Sequence, residues 1–258
     1  MRRSGLACVG HLALVVTVCV AWLGGDAGGR VAAQSTPMAG PPGVPATPAG
    51  GQGASPYLVG DALPLLPPGQ PGVVDVIAVG APVKWDVPIV LRNNTGEDVV
   101  LTNVRGTAQD ATGTPIGTGE PGSLVSPWVV PAGQVAIAAV YFNTLEHLPP
   151  DAAVAFAPEA EPVATAVAFR QDLEIVEATP REDRIVGLAR NGSDEPLVGR
   201  VSVLGVCFDA AGAIKGHYHA FADKNDLDPG ETAPFTARFA GTGPCEAFLV
   251  GASGNKRL

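Results

Sequence analysis

Residues 197–212 read LVGRVSVLGVCFDAAG. The stretch up to Phe208 is mostly apolar and rich in Val, which is typical of a strand, and its Asp-x-x-Gly ending is the signature of a type I turn. Residues 99–113 read VVLTNVRGTAQDATG and end in the same turn signal. We therefore expect one strand-and-turn unit to occur twice in an all-β chain.

The similarity between the two halves extends beyond this stretch. Residues of turns and strand ends recur at offsets of 97 or 99 positions. The pairs at 97 are Asp75 and Asp172, Asn94 and Asn191, Gly133 and Gly230, and Phe142 and Phe239; those at 99 are Gly106 and Gly205, Asp110 and Asp209, Ala111 and Ala210, and Gly113 and Gly212. Asn and Gly tolerate left-handed turn conformations, and Asp accepts backbone hydrogen bonds in turns. The repetition therefore preserves turns and core residues, and no reactive group recurs.

Short apolar runs fill residues 73–258 between Gly, Pro, Asn and Asp turn signals, and no window has a sustained helical period. Each half has roughly 90 residues, a size at which two packed antiparallel sheets bury such runs. We predict two tandem antiparallel β-sandwich domains, at 73–165 and 170–258.

The first 33 residues predict export. Arg2 and Arg3 precede the apolar run Leu12–Leu23, and the small residues Val31-Ala32-Ala33 follow it. This order is that of a secretory signal peptide with cleavage after Ala33, which predicts a secreted or envelope-bound, extracytoplasmic protein. One alternative is an uncleaved anchor, although the run is shorter than the roughly 20 residues of a spanning helix. Another is lipid modification of Cys19, although Val18 precedes it where such signals have a small residue.

Residues 34–72 are expected to form a disordered linker. Pro, Gly, Ala, Ser and Thr dominate this segment, and it has almost no charge. Such a composition cannot bury enough apolar surface to offset the entropy of ordering. Tyr57–Val59 and Leu63–Leu66 are apolar exceptions. They either dock on the first domain as an edge strand or are exposed, and the sequence does not choose.

The charge balance excludes some partners. The chain has 16 Lys and Arg against 25 Asp and Glu. Without the predicted signal, which contains Arg2, Arg3, Arg30 and Asp26, the balance is 13 against 24, a net charge of −11. Nucleic acid and anionic membrane surfaces both attract Lys and Arg. We therefore expect neither as a partner, and membrane attachment only through an uncleaved N-terminal segment.

Cys207 and Cys245 are the cysteines that remain once Cys8 and Cys19 leave with the signal. In an oxidising compartment such a pair usually forms a disulfide, and a loop of nearly 40 residues would stabilise the fold by about 3–4 kcal/mol. Two separate buried thiols are the alternative, because sequence does not reveal the geometry. The first half has no cysteine, so a bridge would belong to the second half alone.

Three segments of the second half carry a family resemblance: Arg184–Asn191 (RIVGLARN), Val201–Gly212 (VSVLGVCFDAAG) and Leu227–Glu231 (LDPGE). Their order resembles the FxLYD-type domain, clearest over 184–239 and more diverged over 75–142. Gly205, Cys207 and Phe208 stand where that motif has Phe, Leu and Tyr. The resemblance implies an immunoglobulin-like fold in an extracytoplasmic bacterial protein, and it brings no catalytic residues.

Two local features are weak metal candidates. His217 and His219 would face the same side of a strand, but a zinc site needs a third ligand and His147 is the remaining histidine after the signal. Asp223, Asn225, Asp226 and Asp228 offer oxygen ligands in one expected loop, which lacks the central Gly and distal Glu of a calcium loop. A solvated strand face and a turn cluster are the simpler interpretations. We therefore predict neither a metal nor a cofactor.

No nucleophile elbow or triad pattern occurs in the sequence. The sequence therefore predicts a non-catalytic, secreted or envelope-associated protein whose tandem modules bind an unknown protein or cell-surface component. The alternative is a ligand- or metal-binding protein with a site in the second half or between the halves.

Overall fold

The computed structural model describes residues 57–60, 65–120, 125–142, 148–149, 151–165 and 169–257. All of them belong to one compact unit, Thr47–Leu258. The predicted signal peptide, most of the predicted linker and His147 lie outside the described residues. Within the described part, no helix is long and apolar enough to span a membrane.

The prediction of an all-β, antiparallel fold is confirmed, since the described residues form fourteen strands and no helix. The strands are β1 (Val74–Val79), β2 (Asp86–Asn93), β3 (Val99–Gln109), β4 (Pro115–Gly119), β5 (Val125–Ser126), β6 (Val129–Val130), β7 (Val135–Tyr141), β8 (Ala153–Pro162), β9 (Arg170–Arg181), β10 (Arg184–Arg190), β11 (Leu197–Phe208), β12 (Ile214–Leu227), β13 (Thr232–Gly241) and β14 (Ala247–Lys256). We call residues 65–165 the first half and residues 169–257 the second half.

The first half consists of two sheets around a shared core. One sheet has the order β1-β2-β7-β5. In the other, β3 pairs with β8, β4 and β6. Ile89, Leu91, Leu101, Val104 and Phe142 are fully buried between them. The apolar alternation of these strands therefore closes a core of the kind that the sequence predicts.

The second half forms a closed ring in the order β10-β13-β12-β11-β14-β9, which differs from the two separate sheets expected for a sandwich. Strand length explains the closure. β9 has 12 residues and pairs with both β14 and β10, and β12 has 14 residues and pairs with both β11 and β13. The corresponding strands of the first half, β1 and β4, have 6 and 5 residues. The ring encloses Leu173, Ile185, Tyr218, Phe235 and other buried side chains.

Both halves use a buried asparagine at the same turn. Asn93 Nδ2 donates to Glu97 O at 2.7 Å and to Val130 O at 2.8 Å. Asn191 Nδ2 donates in the same way to Glu195 O and Leu227 O. The expected correspondence between Asn94 and Asn191 is wrong. Asn93 occupies the buried position that Asn191 has in the second half, and Asn94 instead contacts the segment at 68–70. A constant offset of 97 therefore fails here by one residue.

The expected correspondence between Asp75 and Asp172 is wrong as well. Strand register places Asp75 opposite Arg92, and it places Glu174, not Asp172, opposite Arg190. Asp172 lies closer to the start of β9, and its carboxylate accepts backbone N–H groups of the first half. Identity of residue type at a fixed offset does not establish a shared position when the offset changes along the chain.

Replacing Asn93 with alanine should destabilise the protein by about 2–4 kcal/mol, because two carbonyl groups, one of them buried, lose their donor. Asn94→Ala is the matched control and should cost less than about 1 kcal/mol, since its hydrogen bonds are exposed. Urea unfolding measures both free energies. Equal losses in the two variants would contradict the assignment of Asn93 as the structural residue.

Candidate functional site at the junction of the two halves

The two halves meet through an apolar cluster, because several strands are apolar on both faces. In β7, Ala136 and Ala138 face the core of the first half, whereas Ile137 faces the second half. In β11, Val203 faces its own core and Val206 faces the first half. The junction cluster consists of Leu58, Leu66, Val90, Val135, Ile137, Ala139, Leu204, Val206, Phe208, Ile214, Ala247 and Leu249, all buried. Since each large apolar side chain stabilises by about 1.5–3 kcal/mol when buried, this contact holds the halves together.

Part of the predicted linker lies in this junction. Leu58 is 1% exposed, and Val59 pairs with Val250 through two backbone hydrogen bonds of 3.0 and 2.9 Å. Its partner strand is β14 of the second half, not the first domain. Gly251 makes the approach possible, since a Cβ there would collide with Ser126 and Leu58. The apolar exception at 57–59 is therefore a packed edge segment.

Residues 65–72 were expected to be solvated, and the structure holds them against β1 and β2. Arg92 Nε donates to Pro67 O at 3.2 Å, and Asn94 Nδ2 donates to Pro68 O at 2.9 Å. Asp75 Oδ2 accepts the Gln70 N–H at 2.8 Å. Proline lacks a backbone donor but keeps its carbonyl, and these carbonyls find side-chain donors. Composition alone does not reveal such partners.

Asp172 connects the halves by hydrogen bonds. Its side chain is buried, and its two carboxylate oxygens accept the N–H groups of Trp128 at 2.8 Å and Val129 at 2.9 Å. Burial raises the pKa of Asp172 to about 6, although the two N–H donors and the Arg170 charge favour the ionised form. The carboxylate thereby fixes the chain where it crosses from β5 to β6.

Arg170 and Phe169 pack on the ring of Trp128, a residue whose backbone N–H group donates to Asp172. The Arg170 guanidinium lies 4.9 Å from the centre of the Trp128 ring, and Phe169 packs against the same ring at 5.7 Å. Such a cation–π contact contributes roughly 0.5–2 kcal/mol. Trp128 is thus a buried junction residue, and its ring is not presented to a ligand.

His217 and Asp86 face each other across the junction. His217 Nε2 lies 3.6 Å from Asp86 Oδ2, and the imidazole is 4% exposed. Burial lowers the pKa of His217 to about 4 and raises that of Asp86 to about 6. The imidazole is therefore neutral at neutral pH, so the contact is not an ion pair. Burial, which disfavours charge on both groups, explains why the two pKa values move in opposite directions.

The remaining metal candidates do not converge. His219 lies on the same side of β12 as His217, and its ring packs against Phe221 at 5.2 Å. The expected acidic loop is instead the end of strand β12, which continues to Leu227, and Asp226 Oδ1 accepts the Gly199 N–H at 2.6 Å. Asp223 and Asn225 are exposed strand residues, and Asp228 begins the following turn. Within the described ranges, no three His, Cys, Asp or Glu side chains form a group suited to a metal ion.

The predicted disulfide is confirmed. Cys207 of β11 is bonded to Cys245, which precedes β14, and their Cα atoms are 5.5 Å apart. This separation is within the usual range for a disulfide. The bridge ties together two neighbouring strands of the ring and lies in the core of the second half.

A pocket of about 250 Å³ opens at the edge of the junction. Residues 81–84, which precede β2, form one wall, and Lys215 with Gly241 and Thr242 forms the other. Sequence reasoning placed a possible site between the halves but did not identify Lys84 or Lys215. The sequence does contain a signal for the contact between the halves. The continuous apolar run of β7, VAIAAV, indicates a strand buried on both faces.

Asp172 should make the folded state less stable as the pH rises. Its pKa is about 6 in the folded state against 3.8 in a model peptide, so the folded state binds the proton more strongly. Its stabilising contribution is complete below pH 3.8 and is lost as the pH rises through 6, a difference of about 3 kcal/mol.

Urea unfolding of the wild type and of Asp172→Asn between pH 3.5 and 7 tests this. The stability of the wild type relative to the variant should fall by about 3 kcal/mol across the window. Asp98→Asn is the control, since Asp98 is an exposed carboxylate that also accepts a backbone N–H. A constant difference between wild type and Asp172→Asn would exclude the raised pKa.

Sequence comparison assigns this chain to no family. No protein-family model matches it. No curated protein matches it either.

Proposed function

We propose that this chain is an exported, non-catalytic protein in which two β-modules of common design form one rigid unit for binding a protein or cell-surface component. The observation that carries the proposal is the junction cluster, because a flexible pair of domains would not bury apolar side chains from β7 and β11 against each other. Rigidity fixes the spacing of the surfaces that the two halves present.

The common design is supported by matching strand pairings. In the first half β2 lies between β1 and β7, and in the second half β10 lies between β9 and β13. Likewise β3 lies between β4 and β8, and β11 lies between β12 and β14. Together with the shared asparagine turn, these pairings favour a duplicated module of the FxLYD-like, immunoglobulin-like kind.

An unpaired edge favours a binding role. Among the described residues, β8 pairs only with β3, so its other edge is available for a strand from a partner. Pro158 and Pro162 interrupt the C-terminal part of β8, which leaves Ala153–Ala157 as the proline-free stretch, where alternate residues direct their N–H and C=O groups to the outer edge. The second half has no such edge in its closed ring.

Export would supply the oxidising environment that the Cys207–Cys245 bridge requires. The signal-like order of residues 1–33 and the acidic composition agree with an extracytoplasmic protein.

The rigid unit should unfold in a single transition. Trp85 packs against Tyr141 of the first half, whereas Phe169 and Arg170 pack on Trp128, so the fluorescence of Trp85 in a Trp128→Phe background reports on the first half. Far-ultraviolet circular dichroism reports on both halves. The two urea curves should coincide in this background. Val206→Asp places a charge in the junction cluster and should separate the curves, while Leu65→Asp, at a 92% exposed position, should not. Separate transitions in the unaltered background would overturn the rigid unit.

The mature protein should begin at Gln34. Expression of the full chain in a secreting host, followed by N-terminal sequencing and mass measurement of the exported protein, tests the cleavage after Ala33. Ala33→Arg should block cleavage at this site, because the position before cleavage requires a small residue. Recovery of an intact Met1 form in the cytoplasm would contradict the proposed location.

A further inference from the structure

The junction pocket contains an unusual pair of lysines. The chain has four lysines, and two of them are paired with carboxylates, Lys224 with Glu231 and Lys256 with Glu195. The other two, Lys84 and Lys215, line the same pocket, and neither lies within 4 Å of a described carboxylate, although the Lys84 charge lowers the pKa of the neighbouring Asp86. In a chain with nine more acidic than basic residues, two lysines without a direct carboxylate contact at one place favour a negatively charged occupant.

The Lys84 side of the pocket is held by a tight turn. Val83 and Asp86 exchange two backbone hydrogen bonds, of 2.8 and 3.1 Å, and Lys84 has a φ of 60°. A left-handed conformation is unfavourable for lysine, and glycine or asparagine would normally take this position. Lys84 Nζ lies 5.9 Å from the centre of the Trp85 ring. The turn therefore places Lys84 at the pocket at a conformational cost.

The Lys215 side is built by a close approach of β12 and β13. Gly216 lies opposite Gly241, and a Cβ at either position would collide with the backbone of the other strand. The Thr242 N–H donates to Lys215 O at 3.3 Å. Lys215 is partly buried, and its side chain lines the pocket.

The wall between the lysines is apolar. Ala81, Pro82 and Val83 form it, and the volume of about 250 Å³ corresponds to roughly eight water molecules. Such a space is small for a drug-sized molecule and suits one ring or a short chain with a charged end.

We propose that this pocket binds a small organic anion, a carboxylate or a phosphate ester, with its charge between Lys84 and Lys215 and its apolar part against Ala81–Val83. The proposal rests on the rigid junction of the proposed function, because the pocket walls come from both halves. It goes beyond that function by assigning a class of ligand.

Titration calorimetry of the purified full chain with benzoate, inorganic phosphate and neutral benzamide tests the site at low ionic strength. Benzoate or phosphate should bind with a saturable dissociation constant in the millimolar range or below, and benzamide at least tenfold more weakly than benzoate. Binding of benzoate assigns the site to carboxylates, and binding of phosphate assigns it to phosphate esters. Added salt should weaken either interaction.

Lys84→Asn and Lys215→Gln should each weaken binding at least fivefold. Asparagine removes the ammonium group and tolerates the left-handed turn, so loss of binding in this variant would not reflect misfolding. Lys224→Gln, on the same strand as Lys215 but ion-paired elsewhere, should bind as the wild type does. Amide chemical shifts of Gly241 and Thr242 locate the bound anion.

No saturable binding of either anion, equal binding of benzamide, or binding unaffected by both lysine substitutions would overturn the site. These results would leave the rigid unit intact, since its coincident unfolding curves are measured without any anion. Separate unfolding of the halves would overturn the rigid unit first.

Discussion

The contact between the outer faces of β2 and β7 and those of β11 and β14 is the constraint on which the rest of the structure depends. Each of these strands packs one face into its own core and the other into the junction cluster. A strand segment buried on both faces cannot alternate polar and apolar residues, so the runs Val87–Leu91 and Val135–Val140 contain no polar side chain. The same contact orders the segment around Leu58 and creates the pocket at its edge.

The polar groups of the junction follow from this apolar contact. Asp172, Asp86 and His217 are removed from water by the packing of the halves, and in each case burial is the largest cause of the pKa change. Buried polar groups are costly unless they find partners, and Asp172 finds two backbone donors. These groups therefore lie where the halves are joined, whereas Lys84 and Lys215 line the pocket at the rim.

The halves share their pairing scheme but differ in closure. The second half closes through β9 and β12 and carries the disulfide, so it offers no free sheet edge among its described strands. The first half keeps the outer edge of β8 unpaired. A closed half with a disulfide thus packs against a half that has an unpaired strand edge, and the pocket lies where they meet.

The sequence by itself determined the all-β class, the strand Leu197–Phe208 and the Cys207–Cys245 pair, because strand propensity, turn residues and a lone pair of cysteines are local or compositional signals. It did not determine that Asn93 rather than Asn94 is buried, or that β12 continues through Asp223–Asp226 as a strand, since both depend on register. Only the tertiary structure decided that Val59 pairs with Val250 of β14 and that Lys84 and Lys215 line one pocket. These residues are far apart in the chain, and sheet packing, which no local pattern encodes, brings them together.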